Sequence, residues 1–138
     1  MRNRRALSLL AVSLSLATAG GEQPSFVVHG PTIVAFFPLV KQTELANDAD
    51  TNEALADFQE YANRVREPLR NAGINFHEIY ALTFRIHMGA KSTTFRPGNV
   101  TTGYYFVAPG KKPRVQYGVA TDVDLLQIAH DYFGLAAK

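Results

Sequence analysis

The apolar positions after residue 30 form short runs and alternating stretches that predict strands. The first run, Pro31–Phe37, is nearly continuous, rich in β-branched and aromatic residues, and followed by Pro38. Such a run is typical of a strand buried on both faces. Residues 20–30 are interpreted as a leader into this strand. Residues 39–50 are mostly polar, and we predict a loop there with at most a short helical turn.

A longer segment repeats apolar residues at spacings of three and four, which predicts an amphipathic helix. The repeating positions are Leu55, Phe58, Ala62, Val65, Leu69 and Ala72. Asp50 or Thr51 is expected to cap the start of the helix, and Gly73 its end. Pro68 predicts a kink or break near Arg64, because proline lacks an N–H group and clashes with the preceding turn.

Beyond Gly73 the pattern alternates again and predicts further strands and a closing helix. The predicted strands are Ile74–Tyr80, Thr83–Met88, Ser92–Arg96, Gly103–Ala108 and Arg114–Gly118. Thr121, with Asp124 three residues later, predicts a capped helix that Gly134 ends. The predicted element order is β-α-β-(β-β)-β-β-α, an α/β domain over residues 31–134 with a tail at 135–138.

The first 19 residues have the pattern of a secretory signal peptide. Arg2, Arg4 and Arg5 precede the uncharged apolar run Ala6–Ala17, and Ala17-Thr18-Ala19 fits the small-x-small cleavage rule. The apolar run is shorter than the roughly 20 residues needed to span a bilayer. We therefore predict a periplasmic or secreted protein without a membrane span once the signal is removed. The alternative is that the segment remains as an uncleaved anchor.

Composition and charge exclude several classes of function. The 138 residues suit one domain. The chain contains no cysteine, which excludes thiol chemistry, disulfides and cysteine-bound zinc. Removal of the signal takes three arginines from the 14 basic residues, leaving 11 against 12 acidic residues, a formal charge of −1. The only locally basic run, Lys111–Arg114, falls in a predicted turn, so we expect no nucleic-acid partner.

Candidate catalytic and metal-binding residues are few. After the signal only Ser25 and Ser92 remain as serines, and neither lies in a hydrolase motif. The four histidines do not pair at metal-ligand spacings, so we predict no metal and no cofactor. The acidic residues Asp48, Asp50 and Glu53 are explained by capping of the predicted helix.

Aromatic residues concentrate on the predicted hairpin near the C-terminus. Alternation places Tyr104 and Phe106 on one face and Tyr105 on the other. Exposed aromatics beside arginine are typical of binding surfaces. Two interpretations remain open for the second face: an exposed aromatic surface, or packing beneath a helix.

The strand Thr32–Phe37 before a long helix, and the hairpin Gly103–Gly118 before the closing helix, resemble a thioredoxin-like fold. The glycines Gly110 and Gly118 match those found in the final hairpin of that family. The resemblance covers residues 31–134 and implies a mixed sheet flanked by helices. Redox members carry Cys-x-x-Cys after the first strand, where this chain has Pro38–Thr43. They also carry a cis-proline where this chain has Thr101–Gly103. The resemblance therefore implies a redox-inactive member.

In the family these two regions flank the substrate groove, so the resemblance implies a protein- or ligand-binding surface here. The candidate binding residues are Pro38, Val40, Lys41, Thr43, Thr102 and Gly103. An extracytoplasmic protein is the predicted partner, and the oligomeric state is left open.

Two alternative functions stay open at this point. The first is a small acid–base enzyme that uses His77, Glu78, Tyr80, Arg85 and His87 around a cleft. The second is a different α+β fold, such as a ferredoxin-like sandwich, acting as an inhibitor or ligand-binding module. A parallel pairing of residues 32–37 with 74–80 favours the thioredoxin-like interpretation, and a purely antiparallel sheet opposes it.

Overall fold

The computed structural model describes residues 23–39, 48–98 and 101–135. These residues form a mixed α/β structure, which confirms the predicted class. The elements are β1 (Ser25–Val27), β2 (Thr32–Phe36), α1 (Ala49–Asn71), β3 (Asn75–Ile79), β4 (Phe84–Met88), β5 (Lys91–Phe95), β6 (Gly103–Val107), β7 (Arg114–Tyr117) and α2 (Asp122–Phe133). The predicted signal peptide and residues Val40, Lys41 and Thr43 lie outside the described residues.

The strands form two sheets. The first has the order β3-β2-β6-β7, in which β2 pairs parallel with β3 and antiparallel with β6, and β7 pairs antiparallel with β6. The second has the order β1-β4-β5, with β1 parallel and β5 antiparallel to β4. Residues 32–36 and 75–79 therefore form the parallel pair that the sequence predicted.

The four-stranded sheet lies between two buried cores. Alternation along β2 directs Ile33 and Ala35 towards helices α1 and α2, and Val34 and Phe36 towards the other sheet. All five residues of β2 are buried, as the continuous apolar run predicted. In the described chain the helices cover one face only, because the sheet β1-β4-β5 covers the other. The resemblance implied a mixed sheet flanked by helices, and a second sheet was not part of that prediction.

The segment predicted as a leader contains strand β1. Its backbone pairs with β4, and Phe26 packs into the core between the two sheets. A three-residue strand is too short to produce a recognisable alternation, and its partner strand is distant in the chain.

Helix α1 begins earlier than predicted and continues through Pro68. Its N-cap is Asp48, whose side chain accepts a hydrogen bond of 3.1 Å from the Thr51 backbone N–H. The hydrogen bonds from Thr51 hold the pKa of Asp48 below its usual value. Of the predicted kink or break near Arg64, the break is wrong, since the helix runs without interruption to Asn71. Val65 and Leu69, on either side of Pro68, are both buried and hold these turns against the sheet.

The closing helix α2 begins and ends as predicted. Thr121 Oγ1 accepts a 3.2 Å hydrogen bond from the Asp124 N–H, and Gly134 adopts the left-handed conformation that ends the helix. Neither helix of the described chain combines the length and the apolarity needed to cross a bilayer.

Candidate functional site

The two candidate segments meet where β2 ends and β6 begins. The sheet register places Phe36 opposite Gly103. The Thr102 hydroxyl donates a 2.6 Å hydrogen bond to the Phe36 carbonyl, and its side chain is buried. Pro38 follows two residues after Phe36 and is half-buried. The structure therefore places Thr102 and Gly103 against the end of β2, two residues before Pro38 in the chain.

Gly103 is required by the close approach of its neighbours. A Cβ atom at this position would lie 2.7 Å from the Gln116 carbonyl oxygen and 2.9 Å from Phe36 Cζ. The neighbouring loop is fixed as well, because the Gly118 N–H donates a 2.9 Å hydrogen bond to the Thr102 carbonyl. This end of the four-stranded sheet is consequently tightly packed beneath its surface.

Two large apolar side chains are exposed at this end of the sheet. Leu39, which follows Pro38, is 80% exposed, and Tyr117, which pairs with Gly103, is 47% exposed. The Tyr117 ring meets the Phe36 ring edge-on, with centroids 6.4 Å apart. We call the exposed Leu39 and Tyr117, together with half-buried Pro38 and the buried Thr102 and Gly103 that support them, the β2-end surface. Sequence reasoning missed Leu39 and Tyr117, although an apolar residue inside a polar stretch was a usable signal for Leu39.

A second polar feature joins helix α1 to the end of β3. Glu78 accepts hydrogen bonds from Arg66 and from the Tyr80 hydroxyl, one on each carboxylate oxygen. Gln59 donates its amide to the Tyr80 oxygen at 3.1 Å. Glu78 and Tyr80 are two residues apart on β3 and its extension, so alternation directs them to the same face. Sequence reasoning missed Gln59 and Arg66, which lie two helical turns apart and therefore on one side of α1.

The polar side-chain oxygens of Glu78 and Tyr80 all take part in hydrogen bonds within this network. Burial, and then the nearby Glu78 carboxylate, raise the pKa of Tyr80, so its hydroxyl remains a donor near neutral pH. Both Glu78 oxygens already accept hydrogen bonds. The arrangement therefore ties α1 to β3 and leaves no carboxylate oxygen without a donor.

The residues of the proposed acid–base cleft do not converge. Glu78 and Tyr80 face α1, whereas His77 points between the two sheets and stacks on Phe26 with ring centroids 4.5 Å apart. Arg85 and His87 alternate with the core residues of β4 and lie on its outer face. His77 and His87 belong to different sheets.

Of the two interpretations left open for the second face of the C-terminal hairpin, the exposed aromatic surface is wrong for Tyr105. Tyr104 and Phe106 face the helices and Tyr105 the opposite side, as alternation predicted. However, Tyr105 is only 5% exposed, because Phe84 and Phe95 of the second sheet pack against it. The strand layer that covers it was not anticipated, since a helix was expected there.

Among the described residues no three histidine, cysteine or acidic side chains lie close enough together to hold a metal ion. Comparison of the chain with known protein families, with curated proteins and with solved structures gives no match. The fold and the site geometry are therefore the basis for any functional conclusion.

Proposed function

We propose that this chain is an exported, redox-inactive thioredoxin-like domain that acts by binding a protein or ligand through the β2-end surface. The parallel pairing of β2 with β3 supports the thioredoxin-like assignment, because a purely antiparallel sheet would oppose it. The absence of cysteine from the sequence supports a role without thiol chemistry.

One observation is the main support for the proposed location of the binding surface. The hydrogen bond from Thr102 to the Phe36 carbonyl holds residues 101–103 against the end of β2. The same end presents Leu39 and Tyr117 to solvent. Two exposed apolar side chains above a tightly packed and hydrogen-bonded base suit a binding surface, because a rigid base reduces the entropy lost when a partner docks.

A capture experiment with matched variants tests this proposal. The domain from Gly20 is used as bait in the extracytoplasmic fraction of its source, with crosslinking. We expect Leu39→Asp and Thr102→Val to reduce capture of a stoichiometric partner at least tenfold. Val123→Asp is the matched control, since Val123 is 70% exposed on helix α2.

The outcomes distinguish the possibilities. Equal loss of capture with Val123→Asp would contradict the location of the surface. Unchanged capture with both site variants, while circular dichroism shows that they are folded, would contradict it as well. A second function based on acid–base catalysis is not proposed, because its residues lie on different faces of the fold.

A further inference from the structure

The open edge of strand β3 lies beside a groove on the surface of the protein. In the described chain β3 pairs with β2 alone and forms one edge of the four-stranded sheet. The groove measures about 410 Å³ and runs between β3 and the last turns of α1. Asn63, Arg66, Glu67 and Arg70 line it on the helix side, and Ile74, Asn75 and Phe76 on the strand side.

Among the residues that the structure describes, no strand pairs with the backbone groups of β3 at this edge. In a parallel pair, alternate residues direct both backbone groups towards the partner strand. The Asn75 N–H donates to the Pro31 carbonyl, and the Phe37 N–H donates to the Ile79 carbonyl. The backbone groups of Asn75, His77 and Ile79 therefore point towards β2. The N–H and C=O groups of Phe76 and Glu78 therefore point to the open edge, where an added strand can pair with them.

Two of the three charged residues that line the groove, Arg66 and Arg70, are basic and the third is Glu67, so the groove favours an acidic occupant. Arg66 and Arg70 lie four residues apart on α1, so their Cβ atoms are separated by about 5–6 Å. Alternate side chains of an extended strand are separated by about 6.6–6.8 Å. Acidic residues at every second position of an added strand can thus face both arginines.

Neither arginine is fully committed to its present partner. Arg70 pairs with Glu67 at 3.4 Å, but both side chains are about three-quarters exposed, and such pairs are weak. Arg66 binds Glu78 and also stacks over the Phe76 ring, with its Cζ 5.3 Å from the centroid. Its side chain is still 43% exposed.

We infer that the groove between β3 and α1 binds an extended acidic peptide segment that adds to the sheet as a strand beside β3. Main-chain hydrogen bonds to Phe76 and Glu78 supply affinity, and Arg66 and Arg70 select acidic side chains. This surface is separate from the β2-end surface, so the inference stands independently of the proposed function.

The test uses the isotope-labelled protein and a defined probe, the acetylated and amidated peptide Val-Glu-Val-Glu-Val. We expect chemical-shift changes along α1 from Asn63 to Arg70, and at least tenfold slower amide exchange at Phe76 and Glu78 on binding. A peptide with lysine in place of glutamate, and an N-methylated glutamate peptide, should bind at least tenfold more weakly.

Two charge-reversal variants distinguish binding in the groove from a general effect of the net charge of the protein. Arg70→Glu should weaken binding of the glutamate peptide about threefold to tenfold, since exposed charge pairs contribute modestly. Arg85→Glu makes the same change in net charge on the outer face of β4 and should leave binding unchanged. Because Arg70 and Arg85 are both exposed, neither change is expected to prevent folding.

Several results would overturn the inference. These are equal affinity for the lysine peptide, equal effects of the two reversals, or absence of any binding. Protection that appears at β7 instead would place the strand at the other edge of the sheet. Protection of Phe76 and Glu78 that rises with protein concentration alone would identify a second copy of the chain as the occupant.

Discussion

Gly103 shows how one missing side chain controls the end of the four-stranded sheet. Gly103→Ala places a Cβ atom 2.7 Å from the Gln116 carbonyl oxygen, and backbone cannot move aside cheaply. We expect the free energy of unfolding to fall by about 2 kcal/mol, as in other overpacked cores. Urea denaturation measures this change.

The control for this substitution is Gly98→Ala. Nothing lies within 4 Å of a Cβ atom at Gly98, so stability should stay the same or rise slightly. Similar losses for both variants would show that the close contact at Gly103 is not the cause.

His77 makes stability depend on pH. Burial between the sheets, and then the nearby Arg66, lower the pKa of His77 below its usual value of 6.5. The unfolded chain therefore takes up a proton more readily than the folded protein as the pH falls. Stability from this residue is complete above about pH 6.5 and is lost as the pH falls towards the folded pKa.

Urea denaturation between about pH 7.5 and about pH 5.5, where histidine titrates, measures this effect. The free energy of unfolding of the wild type should decrease over this range, and His77→Gln should make it flatter. A slope that the substitution leaves unchanged would assign the pH dependence to other groups.

At the scale of elements, strand β1 acts as part of the fold although it lies in the segment predicted as a leader. Phe26 stacks on His77 and meets Phe84 edge-on, with ring centroids 6.2 Å apart. Phe26→Ala should therefore lower the free energy of unfolding by about 2 kcal/mol, less than for a fully buried phenylalanine.

The neighbouring residue provides the control. Val27 lies on the outer face of the same strand and is 64% exposed, so Val27→Ala should change stability by less than about 0.5 kcal/mol. Thermal and urea denaturation compare the two variants. Equal small effects would show that β1 contributes little to the core between the sheets.

The elements that the sequence predicted well are those with a repeated local pattern. The apolar residues from Leu55 to Ala72 recur at the spacing of a helix, and β2 is a continuous apolar run, so both patterns extend over many positions. The start of α1 and its continuity through Pro68 depend on tertiary packing and on a side chain outside the periodic stretch. Local propensity alone therefore placed a helix break that the buried residues around Pro68 prevent.

The residues of the candidate site likewise include some that the sequence indicated and some that it could not. The proximity of Pro38 to Thr102 and Gly103 was implied by the resemblance and has a structural counterpart in the register of β2 with β6. Exposure of Tyr117 and the contacts of Arg66 depend on how elements distant in the chain are aligned. Such alignments leave no periodic signal in the sequence, so these residues could not be selected from it.

At the scale of the whole molecule, basic and acidic residues are segregated along the chain. The sequence from residue 79 to 121 contains six lysines and arginines and no acidic residue. These basic residues are all exposed and form no ion pair with a described carboxylate: Arg85, Lys91, Arg96, Lys111, Lys112 and Arg114. Helices α1 and α2 carry most of the described acidic residues, and Lys111 stacks on the Tyr132 ring of α2. A formal charge near zero thus conceals a basic side at the sheet β1-β4-β5, whose strands include Arg85 and Lys91 and no carboxylate.

This segregation predicts that the domain from Gly20 binds a cation exchanger at about pH 7 and low salt, despite its formal charge of −1. Binding should weaken steeply above about 0.1 M salt, where the screening length falls to about 10 Å. The double substitution of Arg85 and Lys91 by glutamate should abolish retention, because it removes charge from the side that faces the resin. Substitution of Arg64 and Arg70 by glutamate changes the net charge equally but on helix α1, and should shift elution much less. If the two double variants elute together, or the wild type flows through, net charge alone governs the interaction and the basic side has no separate effect.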